Sequence, residues 1–389
     1  MEYTKLKNIN EYISESVSPM KTPEQIFEMY SVPIYDTGHP EYLHGSEIAS
    51  NKVKVKKQDI LLCKINPRIN RVWVVTDESE YPCIASSEWI VIRNSKYNPE
   101  FLAWYFRSPK FKQLMTSEVT GIGGSLTRAQ PRVVAEYPVP VLKRQEQDVI
   151  TNILNRVNEI IDTKKQELQK LDELVKARFV EMFGDPNLNP KKWDVVNISE
   201  VVDGKVSNGF FAKRDDYCDD GNIRVLGVAN IVNRMYSNLE DLPRTNADDK
   251  DIEKFEVKYG DMLFCRSSLV AEGIGKASII PEDVQENILF ECHVIRLPLD
   301  LSKCVPEFMQ TLSTMDYFRN QVISQSKTAT MTTIGQDGIL KTDIILPPID
   351  KQKEFYDFVK QVDKSKLAIE KSLEEMQLLF DSLMQKYFG

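Results

Sequence analysis

An apolar stripe of helical period runs through the C-terminal segment and constrains the fold more than any other feature. Its ten positions alternate in steps of four and three, and nine are apolar: Phe355, Val359, Val362, Lys366, Ile369, Leu373, Met376, Phe380, Leu383 and Tyr387. Such sustained spacing predicts a coiled-coil helix. Pro347 and Pro348 prevent a helix from continuing from upstream, and Asp350 is the expected N-cap. The predicted helix is roughly 60 Å long and needs a partner to cover its stripe.

The same stripe occurs earlier in the chain, 205 residues upstream. Eight of its ten positions are apolar: Ile150, Leu154, Val157, Ile161, Lys164, Leu168, Leu171, Val175, Arg178 and Met182. Gly184 as C′ residue and Pro186 beyond it predict where this first helix ends. The chain therefore supplies two similar long helices, and we expect them to pair as an antiparallel coiled coil.

The segments before the two helices also repeat. Residues 258–266 match residues 56–64 at an offset of 202, Pro306–Phe308 matches Pro99–Phe101 at 207, and residues 347–352 match residues 140–145 at 207, so that Gln352 falls opposite Gln145. Landmarks repeated in the same order indicate a tandem duplication with loop insertions. The predicted fold is α+β: β-rich modules at 1–143 and 190–349, a central spacer helix at 144–189 and a C-terminal spacer helix at 350–389.

Composition and charge narrow the class of protein. The chain is 42% hydrophobic and 28% charged, as in soluble globular proteins, and holds no apolar run long enough to cross a membrane and no signal-peptide pattern. We therefore expect a cytoplasmic protein without a membrane partner. Its six cysteines are scattered, which favours buried thiols over zinc ligands or disulfides. Residues 1–143 carry a net charge of +2 and residues 190–349 carry −7, so an anion-binding surface must be a local patch.

No catalytic constellation is evident in the sequence. Gly273–Ala277 lacks the upstream Gly and the Ser or Thr of a phosphate-binding loop, and Asn66–Ile69 lacks the Asn-Pro-Pro-aromatic motif of an amino-methyltransferase. The three histidines, His39, His44 and His293, have no metal or triad spacing. We expect a non-catalytic protein with no cofactor and no metal.

The duplicated arrangement resembles one known family, the DNA-specificity subunits of type I restriction–modification systems. The resemblance covers the whole chain: two β-rich modules alternate with two long helices, Pro347-Pro348 and Gln352 enter the second helix, and Gly-Asp-Met-Leu lies at 260–263. It implies two target-recognition domains and two helical spacers. The implied partners are double-stranded DNA, two methyltransferase subunits and a restriction (translocase) subunit. S-adenosylmethionine, ATP and magnesium would belong to those partners.

Antiparallel helices would turn a direct repeat into a pseudo-two-fold, so that two different modules meet DNA in inverted orientation. The expected target is two half-sites separated by an unread gap whose length the helices set, and Lys164 and Lys366 are expected to help fix the helix register. The alternatives are a protein–protein scaffold that does not bind DNA, or an enzyme with an unrecognised site.

Arginine, lysine, asparagine and serine side chains near loops are the candidate DNA contacts, because arginine pairs with guanine, asparagine with adenine, and all of them with phosphate. For each one, a solvated surface role is the alternative. In the first module the candidates are Lys64, Asn66, Arg68, Asn70 and Arg71, with Arg128 and Arg132 after a glycine-rich turn at 120–125. In the second they are Asn208, Lys213, Arg214, Arg266, Ser267, Ser268 and Lys327.

A second basic feature of the first module is the alternation of Lys52, Lys54 and Lys56 with valines. It predicts a half-exposed strand that carries three lysines on one face. Such lysines either protect a sheet edge from pairing or contact phosphate.

Overall fold

The computed structural model describes residues 2–76, 78–117, 119–120, 127–328 and 330–389. The chain divides into two compact units: unit 1 comprises residues 1–165 and 371–389, and unit 2 comprises residues 166–370. Most of the glycine-rich turn lies outside the described residues. None of the helices in the described ranges is both long enough and apolar enough to cross a membrane.

Two helices of 40 residues each dominate the helical content. The helices are α1 (Leu6–Ile9), α2 (Pro99–Arg107), α3 (Pro109–Ser117), α4 (Pro131–Val134), α5 (Arg144–Phe183), α6 (Asp249–Phe255), α7 (Pro306–Ser313), α8 (Asp316–Ser324), α9 (Gln336–Leu340) and α10 (Ile349–Phe388). Each unit contains the beginning of one long helix and the end of the other. The long helices are therefore antiparallel, as expected.

The stripe positions of both long helices are buried or half-buried without exception, which confirms the seven-residue pattern. Gly184 ends α5 in the left-handed region, with φ +83°, and donates its N–H to the Val180 carbonyl at 2.8 Å. The prediction for the start of α10 was wrong by two residues. This helix begins at Ile349, so Asp350 lies in its first turn, where a carboxylate still favours the helix dipole.

Within unit 2, Lys366 reaches across the seam and forms an ion pair with Asp172 of α5. The exposed fractions are 20% for the lysine side chain and 64% for the aspartate, so solvent screens this pair and its contribution to stability is small. Lys164, the lysine within the stripe of α5, is half-buried.

Unit 1 is built from small antiparallel and mixed sheets. Its strands are β1 (Glu2–Lys5), β2 (Ser16–Val17), β3 (Ile26–Tyr30), β4 (Glu41–His44), β5 (Lys52–Lys54), β6 (Ile60–Cys63), β7 (Val72–Val74), β8 (Cys83–Ala85), β9 (Trp89–Ile92), β10 (Val119–Thr120), β11 (Arg128–Ala129) and β12 (Pro138–Val141). The sheet orders are β2-β5-β8-β3-β4, β7-β6-β9, β1-β12 and β10-β11. All four residues of β6 are buried, and its side chains supply two cores, one on each face.

Unit 2 repeats this plan. Its strands are β13 (Asp194–Asn197), β14 (Ser207–Asn208), β15 (Ile223–Leu226), β16 (Arg244–Thr245), β17 (Asp261–Cys265), β18 (Ser267–Ser268), β19 (Ala277–Ile279), β20 (Ile288–Phe290), β21 (Val294–Pro298), β22 (Lys327–Thr328), β23 (Thr332–Thr333) and β24 (Asp343–Leu346). The sheet orders are β14-β21-β17-β19, β16-β15-β20, β18-β23-β22 and β13-β24. β13 pairs with β24 just as β1 pairs with β12, so in both modules the first strand pairs with the strand that precedes the long helix.

Each core closes on phenylalanines from the end of a long helix. In unit 1 the Phe388 ring lies 5.5 Å from the Phe101 ring, and in unit 2 the Phe183 ring lies 5.0 Å from the Phe308 ring. Phe183 is 1% exposed and Phe388 2%. The helices are thus part of both cores and do not merely connect them.

A buried glutamine attaches each module to the start of its helix. The Gln147 side chain donates to the Leu142 carbonyl at 2.9 Å and accepts from the Asn98 N–H at 2.8 Å. Gln352 does the same with the Pro347 carbonyl and the Val305 N–H, at 2.8 and 2.9 Å. The sequence match of Gln352 with Gln145 was therefore wrong by two residues. Gln145 is exposed, and the helix offset of 205 identifies the true counterpart.

The three lysines of 52–56 do not share an exposed face. β5 lies inside its sheet, between β2 and β8, and is not an edge strand. Lys52 is 7% exposed, and its ammonium donates to the Ser50 carbonyl at 3.1 Å. Burial lowers the pKa of Lys52. The expected alternation was wrong for Lys52, because its side chain is enclosed by the module and its ammonium bonds to Ser50.

Candidate nucleic-acid interface

The candidates of the first module come together at the end of β6. The backbone N–H of Lys64 donates to the Glu88 carbonyl at 3.0 Å, and its carbonyl accepts from the Ala129 N–H at 2.8 Å. The N–H of Asn66 donates to the Thr127 carbonyl at 2.8 Å. The loop at 64–71, named loop 1, therefore lies directly beside β11, which carries Arg128. Arg132 follows in α4, where it is exposed.

Two asparagines give loop 1 its shape. Asn66 and Asn70 have φ of 47° and 53°, in the left-handed region that asparagine tolerates better than most residues. Between them lies a single 3-10 turn, Pro67–Ile69. The Asn70 amide also donates to the Phe106 carbonyl at 3.1 Å, which ties the loop to α2. Both asparagines thus have a structural role that would persist without DNA.

The charged groups of loop 1 differ in access. Arg68 and Arg128 are exposed, and Arg128 pairs with Glu88 at 3.2 Å. Arg71 is half-buried, and its Nε, enclosed by protein, has no hydrogen-bond partner within the described ranges. Arg68, Arg128 and Arg132 are therefore the candidate cations of the first module that are exposed.

The second module builds the same frame at the end of β17. The Arg266 N–H donates to the His293 carbonyl at 2.8 Å, and its carbonyl accepts from the Ile334 N–H at 3.0 Å. These two bonds correspond to those of Lys64 in the first module. The loop at 266–276, named loop 2, runs beside the small sheet β18-β23-β22, which brings Ser267, Ser268 and Lys327 together.

The side chains of loop 2 are less cationic than those of loop 1. The Arg266 guanidinium donates to the Cys292 carbonyl at 3.2 Å, which holds it against the module. The Ser267 hydroxyl lies 3.3 Å from the His293 ring, and the Ser268 hydroxyl accepts from the Val270 N–H at 3.3 Å. Lys327, on β22, is exposed.

The remaining candidates of the second module lie elsewhere. Asn208 is half-buried in β14, where it pairs with Ile295. Lys213 and Arg214 are exposed at a 3-10 turn in which Asp216 accepts from the Lys213 N–H at 2.7 Å. Further aspartates at 215, 219 and 220 surround this turn and weaken its attraction for phosphate. No hydrogen bond of the described residues joins these three candidates to loop 2.

A thiol supports each loop from beneath. The Cys63 S–H donates to the Ile65 carbonyl at 3.4 Å, and the Cys265 S–H donates to the Ser267 carbonyl at 3.3 Å. Burial raises the pKa of both thiols, so they remain protonated donors at neutral pH. These contacts repeat at the same offset of 202 as the strand sequence.

Sequence reasoning missed Lys276 and Arg319. The Cys63 N–H donates to the Arg71 carbonyl and the Cys265 N–H to the Lys276 carbonyl, so Lys276 is the counterpart of Arg71. Loop 2 is longer than loop 1, which hides this equivalence at an offset of 202. Arg319, on α8, donates to the Glu272 carbonyl of loop 2 at 2.9 Å. The change of offset from 202 before the loop to 207 at Pro306 signalled an insertion between these landmarks but not its position.

Among the described residues, no group of three or more His, Cys, Asp or Glu side chains is placed to hold a metal ion. The two loops are instead surfaces of mixed arginine, lysine, asparagine and serine character, of the kind that contacts phosphates and base edges.

Comparison with known proteins finds similarity to DNA-specificity subunits. The sequence profile of the type I restriction modification DNA specificity domain matches residues 190–376. The chain is 22% identical over 365 residues to the type I restriction enzyme MjaVIII specificity subunit of Methanocaldococcus jannaschii, covering 87% of this chain and 83% of that protein. It is 24% identical over 311 residues to the StySPI specificity subunit of Salmonella potsdam, covering 76% of this chain and 65% of that protein.

Solved structures show the same fold. The chain resembles the type I restriction–modification S subunit from M. genitalium with a TM-score of 0.55 at 10% identity, covering 100% of this chain and 96% of that chain. It resembles a chain from a structural study of complex assembly and conformational transition in the type I R-M system with a TM-score of 0.53 at 18% identity, covering 100% and 97%.

The duplicated fold and the matched DNA specificity domain indicate a DNA-recognition protein. In sequence and in fold, the chain is similar to type I restriction–modification specificity subunits.

Proposed function

We propose that this chain recognises two different DNA half-sites separated by an unread gap, and holds methyltransferase subunits over them. The observation that carries the proposal is the duplicated loop frame: the same backbone bonds present loop 1 in one module and loop 2 in the other, with different side chains. Two loops held by the same backbone bonds but carrying different side chains are expected to read two different half-sites. The proposed division is target recognition at 1–143 and 190–349, with spacer helices at 144–189 and 350–389.

Within the proposed interface the candidates have unequal roles. Arg68, Arg128 and Lys327 are exposed and would contact phosphates or base edges. Asn66 and Asn70 would act mainly by shaping loop 1, since both occupy left-handed backbone. The exposed Lys213 and Arg214 lie among aspartates and would contribute least.

The outer faces of the long helices support the docking of methyltransferase subunits. Large apolar side chains on these helices are exposed: Val149, Ile160, Leu174, Val180, Leu367, Leu378 and Leu379. Exposed apolar side chains on a helix favour burial against another protein. The pseudo-repeat suggests two methyltransferase subunits, and a restriction subunit would join them for cleavage. The complex would act in the cytoplasm, where the DNA is.

The first experiment is co-expression with the cognate methyltransferase, followed by mapping of methylated bases in the host genome. We expect one motif of two short half-sites around a fixed gap. A complex that forms but leaves the DNA unmethylated at any such motif would contradict the recognition role.

Single substitutions then assign the half-sites. Arg68→Ala should weaken discrimination at one position of one half-site by about tenfold, the loss of a good side-chain–base pair, and leave the other half unchanged. Lys327→Ala should weaken binding of all sequences and lower the salt dependence. Lys112→Ala and Lys250→Ala remove exposed charges outside the loops and should change neither.

The spacer role has its own test. Deleting residues 162–168 from α5 and 367–373 from α10 removes one heptad from each helix and keeps the seam in register. The helices shorten by about 10 Å, so the methylated motif should lose about three base pairs of its gap. An unchanged gap would exclude the spacer mechanism.

Similarity to DNA-specificity subunits does not favour a protein scaffold without DNA affinity. The salt dependence of DNA binding distinguishes the scaffold from the proposal, because affinity based on phosphate contacts falls steeply as the salt concentration rises. A flat response of the assembled complex would favour the scaffold.

A further inference from the structure

A basic cavity of about 360 Å³ lies within unit 2 and adjoins the end of loop 2 at Lys276. It is lined by Lys176 of α5, Lys366 of α10, Arg234, Lys276 and Arg319. Asp172 is the one carboxylate among the residues that line it in the described part of the chain. Five cations against one carboxylate leave the cavity strongly positive.

The cations of the cavity are poorly compensated. Lys366 pairs with Asp172, and the Lys276 ammonium donates to the neutral Asn233 amide at 2.8 Å. The exposed Lys176 and Arg234 have no ion pair or side-chain hydrogen bond within the described ranges. Like charges gathered without counter-charges repel one another, so an anion that enters the cavity is stabilised by all of them.

Arg319 provides a second, independent observation. Its Nη2 donates to the Glu272 carbonyl at 2.9 Å, whereas its buried Nη1 has no hydrogen-bond partner among the described residues. Burial lowers the pKa of this guanidinium. A buried guanidinium N–H without a hydrogen-bond partner is energetically costly, so this atom indicates that a hydrogen-bond acceptor is absent from the cavity.

The backbone beside Arg319 keeps space open. Gly275 has φ +65°, and a Cβ there would lie 2.4 Å from Val322 Cγ1 and 3.5 Å from Arg319 Nη1. A side chain at this position would therefore collide with Val322 and contact the guanidinium. Glycine keeps loop 2 folded over Arg319 while Lys276, the next residue, lines the cavity.

We propose that this cavity binds the phosphate group of a small molecule, either free inorganic phosphate or a phosphate monoester of nucleotide size. Planar guanidinium groups and ammonium groups together match a phosphate that bears close to two negative charges. A volume of about 360 Å³ lies within the range of small-molecule pockets. The inference does not depend on DNA recognition, because the ligand binds without DNA.

The test is isothermal titration of the full-length chain with inorganic phosphate and with AMP, at constant ionic strength set by chloride. Adenosine serves as the ligand without phosphate. The test variant is the double substitution Lys176→Gln and Arg234→Gln, both at exposed positions that leave the core intact. The matched control is Lys250→Gln with Lys341→Gln, which removes the same charge from exposed sites of unit 2 outside the cavity.

We expect phosphate or AMP to bind and adenosine not to bind. Affinity should fall at least tenfold in the test variant and stay unchanged in the control. Tighter binding of AMP than of phosphate would support a monoester ligand, and binding of phosphate alone would support the free anion.

Three outcomes would overturn the proposal: no binding of either phosphate compound, equal losses in the test and control variants, or weaker DNA binding by the test variant without any binding of phosphate or AMP. The last outcome would assign the cavity to a phosphate of the DNA backbone. Failure of the genome-methylation experiment would leave the titration unaffected, so the two proposals fail separately.

Discussion

Loop 1 and loop 2 rest on the same backbone frame and differ in almost every side chain. The bonds of Lys64 to strands on either side recur at Arg266, and the thiol contact of Cys63 recurs at Cys265. At the tips, however, loop 1 presents Ile69 at 51% exposure and loop 2 presents Leu269 at 83%. The comparison shows that the duplicated part is the support, whereas the surface open to a ligand has diverged.

The supports themselves differ at one buried carboxylate. Asp59 and Asp261 both accept from a backbone N–H three residues upstream, at 2.9 and 2.8 Å. Arg93 holds Asp59 through two bonds of 2.7 and 2.6 Å. Strand pairing places Pro298 at the position equivalent to Arg93, and among the described residues no arginine donates a hydrogen bond to Asp261, although the charge of Arg296 acts on it. Burial therefore raises the pKa of Asp261 to about 6.

The largest expected effect tests whether both long helices close the two cores equally. Phe388→Ala and Phe183→Ala should each lower the free energy of unfolding by about 3–5 kcal/mol, the usual cost of a buried phenylalanine. Urea denaturation of the full chain measures both. Leu378→Ala, at a position 64% exposed on α10, is the control and should cost within about 0.5 kcal/mol. A loss below about 1 kcal/mol for one phenylalanine would show that its helix end does not support that core.

The second prediction is that substitution of Asp59 and substitution of Asp261 change stability in opposite directions. Asp59→Asn removes a carboxylate from a bidentate pair and should cost about 2–3 kcal/mol, less than for a fully buried pair because the Arg93 side chain is 27% exposed. Asp261→Asn keeps an oxygen that can accept from the Lys258 N–H and removes a buried charge. It should stabilise the chain at pH 7 to 8. Urea denaturation of both variants at pH 7.5 measures the contrast.

The pH dependence follows from the direction of the Asp261 shift. Because its folded pKa of about 6 exceeds its ordinary value of 3.8, the native state binds more protons than the unfolded state between these values. Stability therefore falls as pH rises from about 4 to about 6, by on the order of 3 kcal/mol. The difference between the wild type and Asp261→Asn over this range isolates the contribution. Parallel curves for the two proteins would contradict it.

The smallest effect concerns the turn before each buried strand. Gln58 and Gly260 occupy equivalent positions with φ of 72° and 84°. Glycine adopts this region without steric cost, so Gln58→Gly should stabilise the chain by up to about 1 kcal/mol. Gly260→Ala should destabilise it by about 1 kcal/mol or more, since a Cβ would lie 2.9 Å from Leu301 Cδ2. Gly38→Ala, at φ +76° in open space, measures the backbone cost alone.

Sequence alone predicted the features that depend on local periodicity. The seams of α5 and α10, the glycine stop at Gly184 and the buried strands β6 and β17 follow from spacing and capping rules, and the structure confirms them. Gln147 was missed because its role depends on reaching Asn98 in another element. Lys52 was placed wrongly because exposure of a strand residue depends on which strands flank it.

The candidate site was harder to predict than the fold. Residue type directed attention to the two loops, and the structure brings most of those residues together within each module. Residue type could not show that Asn66 and Asn70 hold the loop in left-handed backbone, or that Lys276 corresponds to Arg71. Both facts depend on loop conformation and on an insertion whose position only hydrogen-bond register reveals. Which of the candidates contact bases stays a prediction.

The hydrogen-bonded thiols beneath the loops give each module a chemical probe of loop opening. Cys63 is 2% exposed and Cys265 1%, and a protonated, enclosed thiol reacts slowly with alkylating reagents. Each thiol can be modified only when its loop moves away from the strand, so its labelling rate reports how often that loop opens. A bound DNA half-site that holds one loop in place should slow the labelling of the thiol beneath that loop and leave the labelling rate of the other thiol unchanged.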